Sequence, residues 1–365
     1  MQSTMRLSFL SLLTLGGSLA TALPSTAPAM SLDSRQSSSS PASLFPQKFQ
    51  WVSTPALVGP KPDSRKIAGI KDPSVVEIDG TYHVFASTAK EEGYNLVYFK
   101  FTDFNAANSS TFHYLDQAPL GTGYRAAPQV FWFEPHKLWY LIYQNGNAAY
   151  STNPRIDDPK GWTAPKVFYP NGTPKIISDN IGNGYWVDMW VICDDKKCFL
   201  FSSDDNGQLY RSETSLARFP EGMTQPVIAM QARKEDLYEA ACIYSLPDNK
   251  GYLMLVECID KDGGRYFRSW TGTKIDGQWK ELAASEENPF ARWNNVRFEG
   301  NKVWSWSISH GELIRKGAKG LSQKLEIDPC DMRFMYQGLA PDADWSVYNA
   351  LPWRLGMITL ENPVC

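Results

Sequence analysis

From Asp72 onward one pattern recurs along the chain. A polar residue opens a short run of apolar, β-branched and aromatic residues, a polar turn follows, and a second apolar run closes the unit. Asp72-Pro-Ser-Val-Val-Glu77 passes through Asp79-Gly80 to Tyr82-His-Val-Phe-Ala-Ser87. Gln129-Val-Phe-Trp-Phe133 passes through Glu134-Pro135-His136-Lys137 to Leu138-Trp-Tyr-Leu-Ile-Tyr143. Asp188-Met-Trp-Val-Ile192 passes through Asp194-Asp195-Lys196-Lys197 to Cys198-Phe-Leu-Phe-Ser202. Glu239-Ala-Ala-Cys-Ile-Tyr244 leads to Gly251-Tyr-Leu-Met-Leu-Val256, and Asn294-Asn-Val-Arg-Phe298 to Val303-Trp-Ser-Trp-Ser307. Apolar runs of this length, bounded by turn residues, read as β-hairpins.

The opening residues are Asp72, Gln129, Asp188, Glu239 and Asn294, so successive copies lie 51 to 59 residues apart. A repeat of about 50 residues, made of strands and turns, predicts a β-propeller. Five copies predict an all-β fold, a five-bladed β-propeller. Opening residues at one phase would occupy equivalent places around the central axis. Asp72, Asp188 and Glu239 are therefore expected to converge at one end of the channel. One acid before a strand is an ordinary turn residue; three at one phase of a repeat call for another reason.

The N-terminal region changes the picture of where the chain works. Arg6, the apolar stretch Leu7 to Leu19 and the small residues Ala20-Thr21-Ala22 have the form of a secretory signal over residues 1–22. That stretch is too short to span a membrane. Residues 23–44 are rich in Ser, Pro and Ala and read as a disordered leader. Residues 45–365 remain as one propeller domain. The chain is expected to be extracellular, monomeric and without a membrane partner. A net charge of −3 with no basic cluster argues against nucleic acid. Thirteen Trp and seventeen Tyr supply core and, in part, platforms for the apolar faces of sugars.

Six cysteines in a secreted chain permit disulfides. Cys193 and Cys198 flank a four-residue turn, and Cys330 and Cys365 could clasp the C-terminal segment. Cys242 and Cys258 read as buried thiols. Connectivity stays open at this level. Asn108-Ser-Ser and Asn171-Gly-Thr are N-glycosylation acceptors in polar stretches.

The sequence has no G-x-S-x-G elbow, no Cys or His pair at zinc spacing and no glycine-rich phosphate loop after a strand. Two carboxylates facing each other across a pocket hydrolyse glycosides: one protonates the leaving oxygen and the other activates water or attacks. A third acid nearby raises the first one's proton affinity by like-charge repulsion. Opening residues of different blades diverge around an axis. A wide separation, and hence inversion of the anomeric centre, is the expectation.

Several motifs carry a family resemblance. Ile70-Lys-Asp72-Pro-Ser74, Gln129-Val-Phe-Trp132, Trp186-Val-Asp188-Met-Trp190, Tyr238-Glu239-Ala-Ala241 and Val347-Tyr-Asn349 resemble those of glycoside hydrolase family 62, secreted α-L-arabinofuranosidases that trim arabinoxylan. The resemblance runs from about Phe49 to the C-terminus. It implies a five-bladed propeller, with Asp72 as general base, Glu239 as general acid and Asp188 as the aspartate that tunes the acid. It implies that Lys71, Trp132, Met189, Tyr348 and Asn349 line the arabinose pocket or its rim, joined by an arginine, Arg268 or Arg265. It also implies that His310 helps to hold a structural calcium, while the chemistry itself needs no cofactor. Calcium prefers oxygen ligands, so one histidine is a weak signal for it.

The function expected is exo-acting, inverting release of arabinose side chains from arabinoxylan. The alternative from the same three acids is a family 43-like endo-arabinanase or β-xylosidase. A non-catalytic sugar-binding propeller is a third possibility, though it has no need of convergent acids.

Overall fold

The computed structural model describes residues 40–365. Five sheets of four or five strands form a ring, each built mainly of antiparallel neighbours. Their inner strands are Gly69–Ile78, Ala126–Phe133, Val187–Cys193, Glu239–Ser245 and Ser309–Leu313. Each blade then steps outward through hairpins: Val187–Cys193, Lys197–Ser203, Gln208–Ser215 and Val227–Gln231 make the third. The fold is a five-bladed β-propeller. Among the described residues no helix is long and apolar enough to cross a membrane.

The inner strands read as continuous apolar runs because both faces are covered. All seven residues of Val187–Cys193 are buried. An inner strand near the axis packs against neighbours on both sides, so no face alternates toward water. Further out, the pattern loosens to mixed burial over Gln208–Ser215.

The fifth blade differs from the sequence expectation. Asn294 opens no inner strand; Val296–Phe298 is the outermost strand of that blade, and Val303–Ser307 is not a strand. The inner strand is Ser309–Leu313, followed by Arg333–Gly338 and Arg354–Leu360. Trp51–Ser53 then pairs antiparallel with Leu360–Ile358 and parallel with Val296–Phe298. The start and the end of the propeller thus share one sheet and close the ring. Trp51 is fully buried there and donates from Nε1 to the Phe290 carbonyl at 2.6 Å. The apolar pattern of 294–307 resembles a hairpin because the edge strand buries Val296 and Phe298, while the loop after it carries Val303 and Trp306 at the surface.

Each inner strand carries a bulge near its start, and the bulges form a linked ring. The pairing slips between Lys71 and Ser74, Ala126 and Gln129, Val187 and Trp190, Glu239 and Cys242, and Ser309 and Gly311. Asp72, Ala127, Asp188 and Ala240 sit there with positive φ of 49°, 49°, 57° and 53°. The backbone N–H of Asp72 donates to Gln337 Oε1 at 2.7 Å, that of Ala127 to Ser87 Oγ at 2.8 Å, and that of Asp188 to Gln144 Oε1 at 2.7 Å. Ala240 donates to Asp188 Oδ2 at 2.8 Å and His310 to Glu257 Oε2 at 2.6 Å. Left-handed backbone costs an alanine of order 1 kcal/mol, so the tertiary hydrogen bonds hold it in place. The true phase of the repeat is 72, 127, 188, 240 and 310. Gln129 and Glu239 are off that phase, and Glu239 matches Lys71, the residue just before the bulge.

Cys193 pairs with Cys198 and Cys330 with Cys365; Cys242 and Cys258 are free and buried. Pro41–Leu44 forms a 3-10 turn, and the Pro41 ring packs against Gly251, so order begins before Phe45. The secretory signal and most of the leader fall outside the described residues. Asn108 and Asn171 are both exposed.

Candidate active site

The bulge ring delivers the acids to one end of the channel. A cavity of about 970 Å³ opens there, with Lys71, Asp72, Asp188, Glu239 and His310 in its wall. Beneath them the channel shrinks to a void of about 10 Å³ walled by Pro73, Pro128, Met189, Ala241 and Gly311. The cavity is therefore blind at its inner end.

Asp72 is buried, and burial alone would raise its proton affinity. The Lys71 ammonium, His310, the Ser87 hydroxyl and the Ala127 N–H outweigh that and hold the carboxyl below its usual value. It is a carboxylate ready to accept a proton. Asp188 goes the other way. Burial, Glu239 and Asp72 push it well above the usual range, in that order. His310 stands between the two, with Nδ1 at 3.5 Å from Asp72 Oδ1 and 3.5 Å from Asp188 Oδ2.

Glu239 faces a cation. Arg265 Nη1 lies 2.8 Å from Glu239 Oε1 and 3.1 Å from Glu257 Oε1. Glu257 is fully buried; burial is the main cause that pushes it up to about 7, against the pull of Arg265. It also accepts from Ser309 Oγ at 2.8 Å and from the His310 N–H. Arg265 packs over the Tyr238 ring at 4.3 Å. Burial lowers the charge tolerance of Lys71, yet Tyr348, Asp72, Tyr94 and Glu239 keep its ammonium raised. Lys71 Nζ lies 5.0 Å from the Tyr348 ring and 5.1 Å from that of Tyr94. Tyr94 donates to Asn349 Oδ1 at 2.6 Å, so Tyr348 and Asn349 both reach the cavity wall.

Three expected lining residues lie elsewhere. Trp132 is six residues along its strand from Ala126, about 20 Å at the usual strand rise. There it donates from Nε1 to Glu134 Oε2 beside the outer hairpin turn. Met189 is 2% exposed and packs in the core below the acids. Arg268 binds the Asp236 carbonyl at 3.1 Å and the Trp270 ring at 5.5 Å. Arg265, three positions earlier, points into the cavity instead, since odd spacing on a strand puts side chains on opposite faces. Of the two arginines considered, Arg265 is the one at the site.

Asp205, Tyr94 and Glu257 join the site without having stood out in the repeat, and Tyr238, named only as part of the Glu239 motif, lines the cavity too. Asp205 lies in Asp204-Asp205-Asn206-Gly207, which reads as a plain turn. Glu257 did leave a signal: it is the one acid inside the apolar strand Tyr252–Ile259. The residues around His310 do not fit a calcium held by protein side chains. No group of three or more His, Cys, Asp or Glu among the described residues could hold a metal. Calcium asks for six to eight oxygen ligands.

The model of glycosyl hydrolase family 62 matches residues 50–359. The chain belongs to glycosyl hydrolase family 62. It is a glycoside hydrolase, and the family 43 alternative gives way. The family-62 chain is 40% identical over 319 residues to α-L-arabinofuranosidase C of Cellvibrio japonicus, covering 86% of this chain and 47% of that protein. It therefore spans about half the length of that relative. The α-L-arabinofuranosidase of Podospora anserina, solved with cellotriose, is 68% identical with a TM-score of 0.86, over 88% of this chain and 99% of that one. A family 62 hydrolase solved with xylotriose is 63% identical with a TM-score of 0.83, over 86% and 98%.

Proposed function

We propose that this family 62 protein is a secreted, monomeric, inverting and exo-acting α-L-arabinofuranosidase that removes arabinose side chains from arabinoxylan. The observation that carries the reading is the blind cavity in which an ionised Asp72 on the first blade faces Glu239 on the fourth. Relatives that are α-L-arabinofuranosidases, one of them holding cellotriose, and a family 62 hydrolase holding xylotriose support the sugar class.

The chemistry follows from these residues. A terminal furanose enters the cavity, which is closed below, so a chain cannot thread through. Glu239 gives a proton to the glycosidic oxygen as the bond to the anomeric carbon breaks. A water on the opposite face adds to that carbon and loses its proton to Asp72. Lys71 and His310 favour the charged form of Asp72 before the step. Asp188 holds the Ala240 N–H, and so fixes the bulge that presents Glu239. Tyr348 and Asn349 at the mouth offer an aromatic face and an amide to the polymer. The acids need no cofactor. A structural calcium at His310 would have to rest mainly on water.

Incubation with arabinoxylan tests the reading. Free arabinose with an uncut xylan chain is expected, and NMR of fresh product should show the β anomer first. Xylo- or arabino-oligosaccharides as main products would refute the exo mode. The α anomer first would refute inversion.

A further inference from the structure

Asp205 is an acid that the scheme above leaves without a task. It lines the cavity and is 8% exposed, and its Oδ1 is buried with no hydrogen-bond partner. Glu239 lines the same cavity and, after burial, does most to raise the proton affinity of the Asp205 carboxyl. Two acids in one buried wall cannot both carry charge cheaply, so one of them keeps a proton.

The turn that carries Asp205 is clamped in place. Asp205 has φ of 54°. Asp204 Oδ1 accepts the N–H groups of Asn206 at 2.9 Å and Gln208 at 3.1 Å, and its Oδ2 accepts from Tyr210 at 2.8 Å. Asn206 Nδ2 donates to the Asn180 carbonyl at 3.0 Å. Gly184 approaches so closely that a Cβ there would lie 1.9 Å from the Asp204 carbonyl oxygen. An ordinary turn residue does not need such fixing, nor does it aim a buried carboxyl at another acid.

We propose that Asp205 is a positioning residue which shares one proton with Glu239 and keeps that proton available for the departing glycosidic oxygen. The idea rests on the reading of Glu239 as the acid. In the resting pair the proton lies between the two carboxyls. It moves to the outward oxygen of Glu239, then to the leaving oxygen as the glycosidic bond breaks. Both carboxyls are then anionic beside Arg265, and the pair regains one proton from solvent. Burial, Glu239 and Asp188 push Asp205 up to about 10, consistent with a proton held across the working range. The other groups bearing on the pair are Tyr238, Tyr348, Glu257, Lys71, Asp72 and His310. A coupled pair titrates as a unit, so the readout belongs to the pair.

The test compares pH profiles of kcat/KM for the wild type, Asp205→Asn and Asp205→Glu on arabinoxylan and on a nitrophenyl arabinofuranoside. Asn keeps a donor toward Glu239 but has no proton to share. Its alkaline limb on arabinoxylan should move to lower pH by about one unit or more, with a smaller loss on the nitrophenyl substrate, whose leaving group needs little protonation. Asp205→Glu should keep the alkaline limb where the wild type has it, at reduced kcat. An unmoved limb in Asp205→Asn, with equal losses on both substrates, overturns the proposal. If Asp205→Asn shows no melting transition, Asp205→Glu decides: a limb displaced to lower pH despite the carboxyl also overturns it. Failure of the wild type to release arabinose from either substrate would instead overturn the functional reading itself.

Discussion

Arg265 Nη1 lies 2.8 Å from Glu239 Oε1 while the same nitrogen reaches Glu257 Oε1 at 3.1 Å. One buried cation thus serves a cavity acid and a structural one. Removing it strands both. Arg265→Ala should cost about 3 kcal/mol of stability, because a buried charge loses its partner. It should also lower kcat on arabinoxylan. Arg265→Lys keeps the charge but loses the planar fork, so it should recover stability more than kcat. Thermal melts and steady-state rates on the same preparations check the split. Unchanged kcat in Arg265→Ala would show that the contact with Glu239 has no catalytic consequence.

The two acids should respond differently to the leaving group. Glu239→Gln should lose a factor of about 10² to 10⁴ on arabinoxylan and much less on a nitrophenyl arabinofuranoside. Asp72→Asn should lose activity on both, since water still needs a base. Equal losses for Glu239→Gln on the two substrates would contradict its role as acid.

Stability should depend on pH through the raised acids. Glu257 goes up from 4.5 to about 7 in the folded protein, so the folded state binds this proton more tightly than the unfolded chain. Its stabilising contribution is complete below the unfolded value and is lost as pH rises through about 7. Asp188 and Asp205 have the same sign, raised above 3.8. Asp72 is lowered, and its contribution is lost only when pH falls through its folded value. The melting temperature should therefore fall by about 2 °C or more between about pH 5 and pH 8. Glu257→Gln should flatten that fall. A melting temperature that rises over the same interval would count against this assignment.

Tyr348 and Trp132 separate cavity from core. Tyr348 is 42% exposed in the cavity wall beside Lys71, whereas Trp132 lies near the outer turn of its strand. Tyr348→Ala should raise KM for arabinoxylan with little change in melting temperature. Trp132→Ala should lower the melting temperature and leave KM alone. The reverse pattern in KM would place the sugar on a different surface.

The sequence by itself determined the blade count and four of the five inner hairpins, and it placed Asp72, Asp188 and Glu239 near the starts of inner strands. Hydrophobic burial is periodic along a strand, and inner strands covered on both faces leave uninterrupted apolar runs such as Val187–Cys193. The Cys193–Cys198 disulfide agrees with the turn spacing that suggested it, and Cys330–Cys365 closes the C-terminal segment, a pairing the sequence had left open. What the chain pattern could not give was the phase at which each acid enters the site. A bulge adds one residue without altering polarity, so Glu239 and Ala240 exchange places in the repeat unseen. The fifth blade was hidden for a related reason: its outer strands, Trp51–Ser53 at the start of the domain and Val296–Phe298 ahead of the inner strand, are far apart in the chain, and pairing between distant segments has no period. The choice of Arg265 over Arg268 was a matter of which sheet face meets the cavity. Asp205 and Glu257 acquire their properties only from burial beside other charges, and that is a property of the folded ring.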